Sequence, residues 1–273
     1  MAPRPRVSVL MPAYNAERFL AEAIESVLAQ SHEDLELLVA DDGSKDGTLE
    51  LARGYARRDA RVRVLASPEN LGTVRTRNRL FDEADPKSAF FALMDADDVC
   101  LPERFAEQLD FLGGEPEHAL VGGNLILIDE AGVEIGRRTY PQRFEDIARV
   151  ITRFNPIAQP AAMVRRAAIE AVGRYDARYP QCQDYDLWLR VARRFKIANL
   201  DRYVLRYRIS QGQVKSQKLK ASLRYTLQIQ RENMLEPRFF RPENIAYWVA
   251  QHALLALPDA AVLELWKRVT LKR

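Results

Sequence analysis

The sequence predicts an α/β fold: a doubly wound, mostly parallel sheet followed by a helical C-terminal extension. Three observations predict it. Short unbroken apolar runs alternate with helix-period stretches through about the first hundred residues, as in consecutive β-α-β units. Each run ends abruptly in a polar turn, at the edge where ligands of such sheets bind. From Lys215 to Arg273 the pattern becomes helical, basic and amphipathic.

Val7–Met11 reads as the first strand, broken by Pro12-Ala-Tyr-Asn15. Asn15 is placed to cap a helix from about Ala16 to Gln30, whose Phe19, Leu20, Ala23, Ile24, Val27 and Leu28 form one stripe. Leu35–Ala40 is a second buried strand, ending in Asp41-Asp42-Gly-Ser-Lys-Asp-Gly-Thr48. Asp46 is suited to cap the helix from about Thr48 to Arg58. Val62–Leu65 is the third strand, and Asn70-Leu-Gly72 opens a helix carrying Arg75, Arg77, Asn78 and Arg79. Phe90–Met94 is the fourth strand. Pro102–Leu112 is helical, Leu120–Ile128 and Val133–Gly136 form a hairpin, and Phe144–Phe154 is helical. Ala161–Val164 is a short strand, Arg165–Val172 a helix closed by Gly173, and a helix opens at Asp184. Ile197–Leu200 and Val204–Tyr207 finish the sheet as two strands.

A net charge of +3 is too small to point to nucleic acid. No run approaches the roughly 18 apolar residues of a membrane span. Val7–Met11 is too brief for a secretory leader and reads as a strand. Two cysteines, Cys100 and Cys182, make no disulfide framework, so reduced thiols in a cytoplasmic protein are expected. His32, His118 and His252 fall in no motif, which argues against a His-centred metal site or a Ser/Cys–His pair.

The chemistry concentrates in the turns. Phe90–Met94 ends on Asp95, Asp97 and Asp98. In extended backbone Asp95 and Asp97 share a face, and converging carboxylates at a buried strand end need a cation, donors or water. A hard divalent ion that also holds phosphates satisfies them; the alternative is a polar loop in which Asp98 caps the following helix. Asp42 either accepts from the N–H of a uracil-like base or stabilises its own turn. Arg77 faces a base carbonyl or a phosphate. Asp184, at a helix start, is an N-cap, a general base, or both.

The ordered motifs Val9-Leu-Met-Pro-Ala-Tyr-Asn15, Val39-Ala-Asp-Asp-Gly-Ser44, Asn70-Leu-Gly72 with Arg77-Asn78, Met94-Asp-Ala-Asp-Asp98 and Gln183-Asp-Tyr-Asp-Leu-Trp-Leu-Arg190 closely resemble those of the family 2 glycosyltransferases. The resemblance covers about residues 5–210 and implies the GT-A fold. It also implies an inverting, metal-dependent sugar transfer from a nucleoside diphosphate donor. On it, Pro12, Ala13, Tyr14, Asp42, Arg77, Asp95 and Asp97 bind the nucleotide sugar, with Asp42 and Arg77 at the base and Asp95 near the ribose. Asp97, with Asp95, holds Mn²⁺ or Mg²⁺ on the diphosphate, and Asp184 is the catalytic base. A UDP-sugar donor and a saccharide or lipid-linked saccharide acceptor are expected, as in surface polysaccharide or glycolipid synthesis. The implied organisation is a catalytic domain over residues 1–212, with a nucleotide-sugar half to about 100 and an acceptor half beyond it. Residues 213–273 form the helical extension. Gln183 stands where many members carry Glu, and the His that often follows the Tyr207-Arg-Ile-Ser-Gln211 region is absent.

Basic residues between Lys215 and Arg241, followed by apolar Ile245–Leu257, suit either an anionic membrane surface at the inner face of the cell membrane or packing on this domain or a second subunit. The competing reading is a non-catalytic nucleotide-binding or phospho-receiver module. A receiver wants its acidic pair after the first strand, where Pro12–Asn15 stand.

Overall fold

The apolar runs form strands where expected: β1 (Val7–Ala13), β2 (Leu35–Asp41), β3 (Val62–Ala66) and β4 (Phe90–Leu93). The structure, a computed structural model, describes residues 6–210, 216–258 and 261–262. Helices α1 (Glu17–Leu28), α2 (Thr48–Arg58) and α3 (Thr73–Glu83) connect the strands, which pair in parallel in the order β3-β2-β1-β4. Alternation along each strand feeds two cores. Val7, Val9 and Met11 pack with Leu20 and Ile24 of α1 on one face. Leu10, Leu38 and Phe91 pack with Leu80 and Phe81 of α3 on the other. Strands covered on both faces explain the unbroken apolar runs.

The second half continues the sheet with mixed pairing. It contains β5 (Val99–Cys100), α4 (Arg104–Gly114), β6 (His118–Ile128), β7 (Glu134–Arg138) and α5 (Phe144–Val150). A short 3-10 turn at Gln159–Ala161 leads to β8 (Met163–Arg165), α6 (Arg166–Val172), α7 (Gln183–Arg194) and β9 (Lys196–Arg208). The order runs on as β4-β8-β6-β9-β5, with β7 beside β6. The expected doubly wound α/β fold is therefore present, parallel through its first half.

Several local expectations need correction. The two strands predicted at 197–200 and 204–207 are one strand, β9, paired along β6. The register slips between Gly123↔Leu200 and Asn124↔Tyr203, so Asp201 and Arg202 bulge outward. Gly123 permits this, since a Cβ there would lie 2.7 Å from Val204 Cγ1. Asn15 does not cap α1. Its backbone is left-handed (φ 49°) and its side-chain oxygen accepts from Lys45 N–H (2.8 Å). The α1 terminus is served instead by Thr48 Oγ1, accepting from Ala16 N–H, and Asp46, accepting from Glu17 N–H. Asp46 also accepts from Thr48 N–H, as expected of it, while Glu17 accepts from Gly47 N–H. The turns after β1 and β2 are thus laced together. Asp98 does not cap α4; it is drawn inward to Arg208.

Beyond β9, α8 (Ser216–Asn233) and α9 (Pro242–Ala256) are helical as predicted. Lys215, the Lys218 side chain and most of the stretch beyond Pro258 lie outside the described residues. Helix α8 packs on the sheet-bearing part of the chain: Ile229 joins the core with Trp188 of α7, and Tyr179 donates its hydroxyl proton to Glu232. Ile245, Tyr247 and Val249 of α9 are exposed. Among the described residues, no helix is long and apolar enough to cross a membrane.

Candidate active site

The carboxyl ends of β1, β2 and β4 open onto a crevice of about 320 Å³. Pro12, Ala13, Tyr14, Asp42, Arg77, Asp95 and Asp97 all line it, together with Phe19, Thr73, Thr76 and Ser210. The parallel order 2-1-4 brings these three strand ends side by side, although their residues are far apart in sequence.

Asp42 is buried, and its two carboxylate oxygens accept from the N–H groups of Leu71 (2.8 Å) and Gly72 (3.0 Å). It latches the turn that opens α3. Gly43 follows with φ 72°, and a Cβ there would lie 2.5 Å from the backbone carbon of Glu69. No other residue type allows that approach.

Arg77 reaches Asp95 Oδ1 at 2.6 Å. Its Nε and Nη1 face the Gln159 side chain at 3.1 and 2.7 Å, with the amide set so that its oxygen accepts from them and from the Tyr175 hydroxyl. Burial opposes the guanidinium charge, but Asp95, Tyr175 and Asp184 together outweigh it and hold Arg77 protonated. Asn78, next along α3, pins Tyr175 through both main-chain groups: it donates to Tyr175 O (2.9 Å) and accepts from Tyr175 N–H (3.0 Å).

Asp95, Asp97 and Asp98 place one carboxylate oxygen each within 4.8 Å of one another. Asp98 is 1% exposed. Its Oδ1 accepts from Arg208 N–H (2.8 Å), while its Oδ2 is buried with no hydrogen-bond partner. Burial, then the charges of Asp97 and Asp95, push its carboxyl well above the usual range. Two buried arginines flank the loop. Arg104 donates to Leu93 O (2.9 Å) and contacts Cys100 Sγ (3.2 Å). Arg208 donates to Asp97 O (2.8 Å) and Asp129 O (3.1 Å), pairs with Glu22, and stacks over the Phe19 ring at 4.5 Å.

Asp184 does not line this crevice but stands beside it in the first turn of α7. Its Oδ2 accepts from Asn155 Nδ2 (2.8 Å), and Asn155 is oriented by the Ile157 N–H at its oxygen (3.2 Å). Burial raises the Asp184 carboxyl; the Tyr185 N–H and the Arg77 charge pull it back, and Asp95 pushes it up. Asp184 is thus within electrostatic reach of both Arg77 and Asp95. Tyr140, hydrogen-bonded to Arg138, also feels the Asp184 charge.

A profile of the glycosyl transferase family 2 matches residues 8–173. The chain belongs to that family. EpsE of Bacillus subtilis strain 168, a glycosyltransferase by description, is 34% identical over 68% of this chain and 66% of its own. The uncharacterized glycosyltransferase MJ1057 of Methanocaldococcus jannaschii is 30% identical over 79% of this chain and 77% of its own. Among solved structures, Staphylococcus aureus TarS residues 1–349 superposes with TM-score 0.59 at 18% identity, covering 94% of this chain and 83% of TarS. The mannosyltransferase PcManGT of Pyrobaculum calidifontis superposes with TM-score 0.62 at 18% identity, covering 98% and 81%. The fold is that of the GT-A glycosyltransferases, and the chain is a glycosyltransferase rather than a receiver module.

Within this family 2 enzyme, sequence reasoning missed several residues. Arg208, Arg104, Asn155 and the Gln159–Tyr175 pair were assigned no role, and Asp98 only that of a cap. A buried arginine closing an apolar strand, as Tyr207-Arg208 does, is a usable signal. Asn155 and Gln159 carried none, because only folding brings them to Asp184 and Arg77. Gln183 is buried at the first position of α7. Cys100 and Cys182 are free thiols with different partners, Met94 and Arg104 for one, Ser222 and Thr226 for the other.

Proposed function

We propose that this family 2 glycosyltransferase moves a sugar, with inversion, from a nucleoside diphosphate donor to a hydroxyl acceptor. A UDP-sugar is the favoured donor. The observation that carries this reading is the single crevice shared by Asp42, Arg77, Asp95 and Asp97, with Asp184 at its border and coupled to Arg77 and Asp95.

The carboxylate set fits a hard divalent cation. Three oxygens converge, and Asp98 Oδ2 is a buried acceptor without a donor, an arrangement that a cation relieves. Asp97, with Asp95, would hold Mn²⁺ or Mg²⁺, which as a Lewis acid would neutralise the charge growing on the departing diphosphate. Asp42 offers its buried carboxylate to a base N–H, Arg77 adds a fixed positive charge at the base, and Asp95 stands near the ribose. Pro12–Tyr14 form the wall behind the nucleotide. Asp184, held by Asn155, takes the acceptor hydroxyl proton as that oxygen attacks from the side opposite the diphosphate.

The fold neighbours support the donor class. TarS is described in complex with UDP and with UDP-GlcNAc, and PcManGT with GDP-Man and Mn²⁺. The relatives support an envelope polysaccharide or glycolipid product: TuaG of Bacillus subtilis, by description a teichuronic acid biosynthesis glycosyltransferase, is 35% identical over 40% of this chain. On this reading residues to about 100 serve the nucleotide sugar and 101–212 the acceptor. A saccharide or lipid-linked saccharide acceptor would meet the enzyme in the cytoplasm or at the inner face of the membrane, with residues 213–273 as the membrane or dimer contact.

The test is a thermal-shift panel of nucleoside diphosphates with and without Mn²⁺. A ligand at 100 times its Kd stabilises by about 2.7 kcal/mol. A shift for UDP that requires Mn²⁺ is expected. No metal-dependent shift with any nucleotide would remove the proposal.

A further inference from the structure

The acidic loop carries a difficulty that its own residues do not resolve. Three carboxylates converge within 4.8 Å at the end of a buried strand, and Asp98 is wholly enclosed. Like charges at that range repel strongly in a low-dielectric setting. Keeping Asp95 and Asp97 converged therefore needs fixed contacts on the loop.

Arg77 pairs with Asp95 and Arg104 lies close to Asp98; a third arginine, Arg208, at the last position of β9 and 1% exposed, holds the Asp97–Asp98 stretch. It meets the loop at one main-chain oxygen and one carboxylate oxygen. The guanidinium Nε donates to Asp97 O at 2.8 Å, and the Arg208 main-chain N–H donates to Asp98 Oδ1 at 2.8 Å. The remaining donors reach Asp129 O (3.1 Å), Glu130 O (3.4 Å) and the Glu22 carboxylate. The Phe19 ring, which lines the crevice, lies beneath the guanidinium at 4.5 Å. One side chain therefore joins α1, the turn between β6 and β7, and the acidic loop.

We propose that Arg208 is a positioning residue for the metal–nucleotide site. It supplies positive charge to the loop through the Asp97 carbonyl, leaving Asp95 and Asp97 to line the crevice. This rests on the donor and metal reading above, and it adds a residue from the far end of the chain to that site. A lysine cannot substitute fully, because one ammonium cannot span Asp97 O, Asp129 O and Glu22 in the planar fork of a guanidinium.

The test measures Mn²⁺ binding directly. Free Mn²⁺ is followed by electron paramagnetic resonance as wild type, Arg208→Gln and Arg208→Lys are titrated with UDP present. Thermal unfolding is recorded for each. Outer partners of metal ligands are worth about 10–100-fold in affinity. The expected result is Mn²⁺ affinity at least about 10-fold weaker in Arg208→Gln, and intermediate in Arg208→Lys, at temperatures where both are folded. The constant for Mn²⁺ activation of transfer should rise in parallel, whereas mere loss of folded protein would lower kcat and leave that constant unchanged. Folded variants that bind Mn²⁺ and UDP like wild type would overturn the role of Arg208 while leaving the donor reading intact. Failure of both variants to fold would also overturn it, assigning Arg208 to the core. Wild type that binds no Mn²⁺ with UDP would remove the donor reading and this inference together.

Discussion

Replacing Asp184 by Asn should move activity and stability in opposite directions. In its proposed role as the base, Asp184 must be ionised, and Asn of the same shape cannot take a proton. Loss of a general base costs about 10²–10⁴-fold, or about 3–5 kcal/mol of transition-state stabilisation. Stability should change the other way. Burial raises the Asp184 carboxyl, only partly countered by the Tyr185 N–H and Arg77. A carboxyl held above its ordinary value binds its proton more tightly in the folded chain than in the unfolded one. Its ionised form therefore opposes folding, and the penalty grows as pH rises from the ordinary carboxylate range through the raised value. Asn carries no such penalty, and it can still accept from Asn155 Nδ2. Single changes that relieve such functional strain yield about 0.5–2 kcal/mol, and in a domain of this size each kcal/mol is about 2–4 °C in Tm. The assays are initial rates of nucleoside diphosphate release and thermal unfolding at pH 5 and pH 8. The Asn variant should be nearly inactive at both and gain more stability at pH 8. Wild-type turnover should rise with pH through the raised carboxyl and then level off. Full turnover in the Asn variant would remove Asp184 from proton transfer. A variant less stable than wild type at pH 8 would refute the burial reasoning.

Gly43→Ala should cost about 2–4 kcal/mol, from the left-handed backbone and a Cβ 2.5 Å from Glu69 C. It should also weaken UDP binding by unlatching Asp42, measured by denaturant unfolding and calorimetric titration. Arg77→Met leaves Asp95 without its arginine partner and Gln159 with only the Tyr175 hydroxyl as donor, and should cost about 3 kcal/mol, at the lower end for a broken buried pair because Asp95 is partly solvated. Glu36, buried on β2, accepts from Ser8 Oγ, Asp85 N–H and Arg63. Glu36→Leu should lose about 3 kcal/mol yet keep KM for the donor, a control for variants that are merely unstable. Burial pushes the Cys182 thiol up to about 11, so iodoacetamide should label it slowly at pH 8 and faster as pH rises, followed by mass spectrometry.

The first half of the sheet was legible because each strand is local and two-sided, so an apolar run bounded by a turn identifies it. The crevice was legible for the same reason: Pro12–Tyr14, Asp42 and Asp95–Asp97 are strand ends, and strand ends of parallel neighbours meet. The second half was less so. Strand β9 reads as two strands because the Asp201-Arg202 bulge interrupts its apolar pattern, while pairing with β6 resumes beyond it. The two-residue β5 has no period to detect. Asn15 looked like a cap, but its left-handed backbone turns the amide toward Lys45. Arg208 and Asn155 take their meaning from partners up to 186 residues away, which no local pattern encodes.

Strand β9 inserts between β6 and β5, and it brings Arg208 to the acidic loop only at its final residue. A ribosome therefore releases β1 to β4, the whole parallel half, well before Arg208 has been made. A nascent chain short of residue 208 would lack the contacts of Arg208 to Asp97 O and Asp98 Oδ1. On the proposed site, competence for transfer should switch on late in synthesis, once β9 has paired with β6.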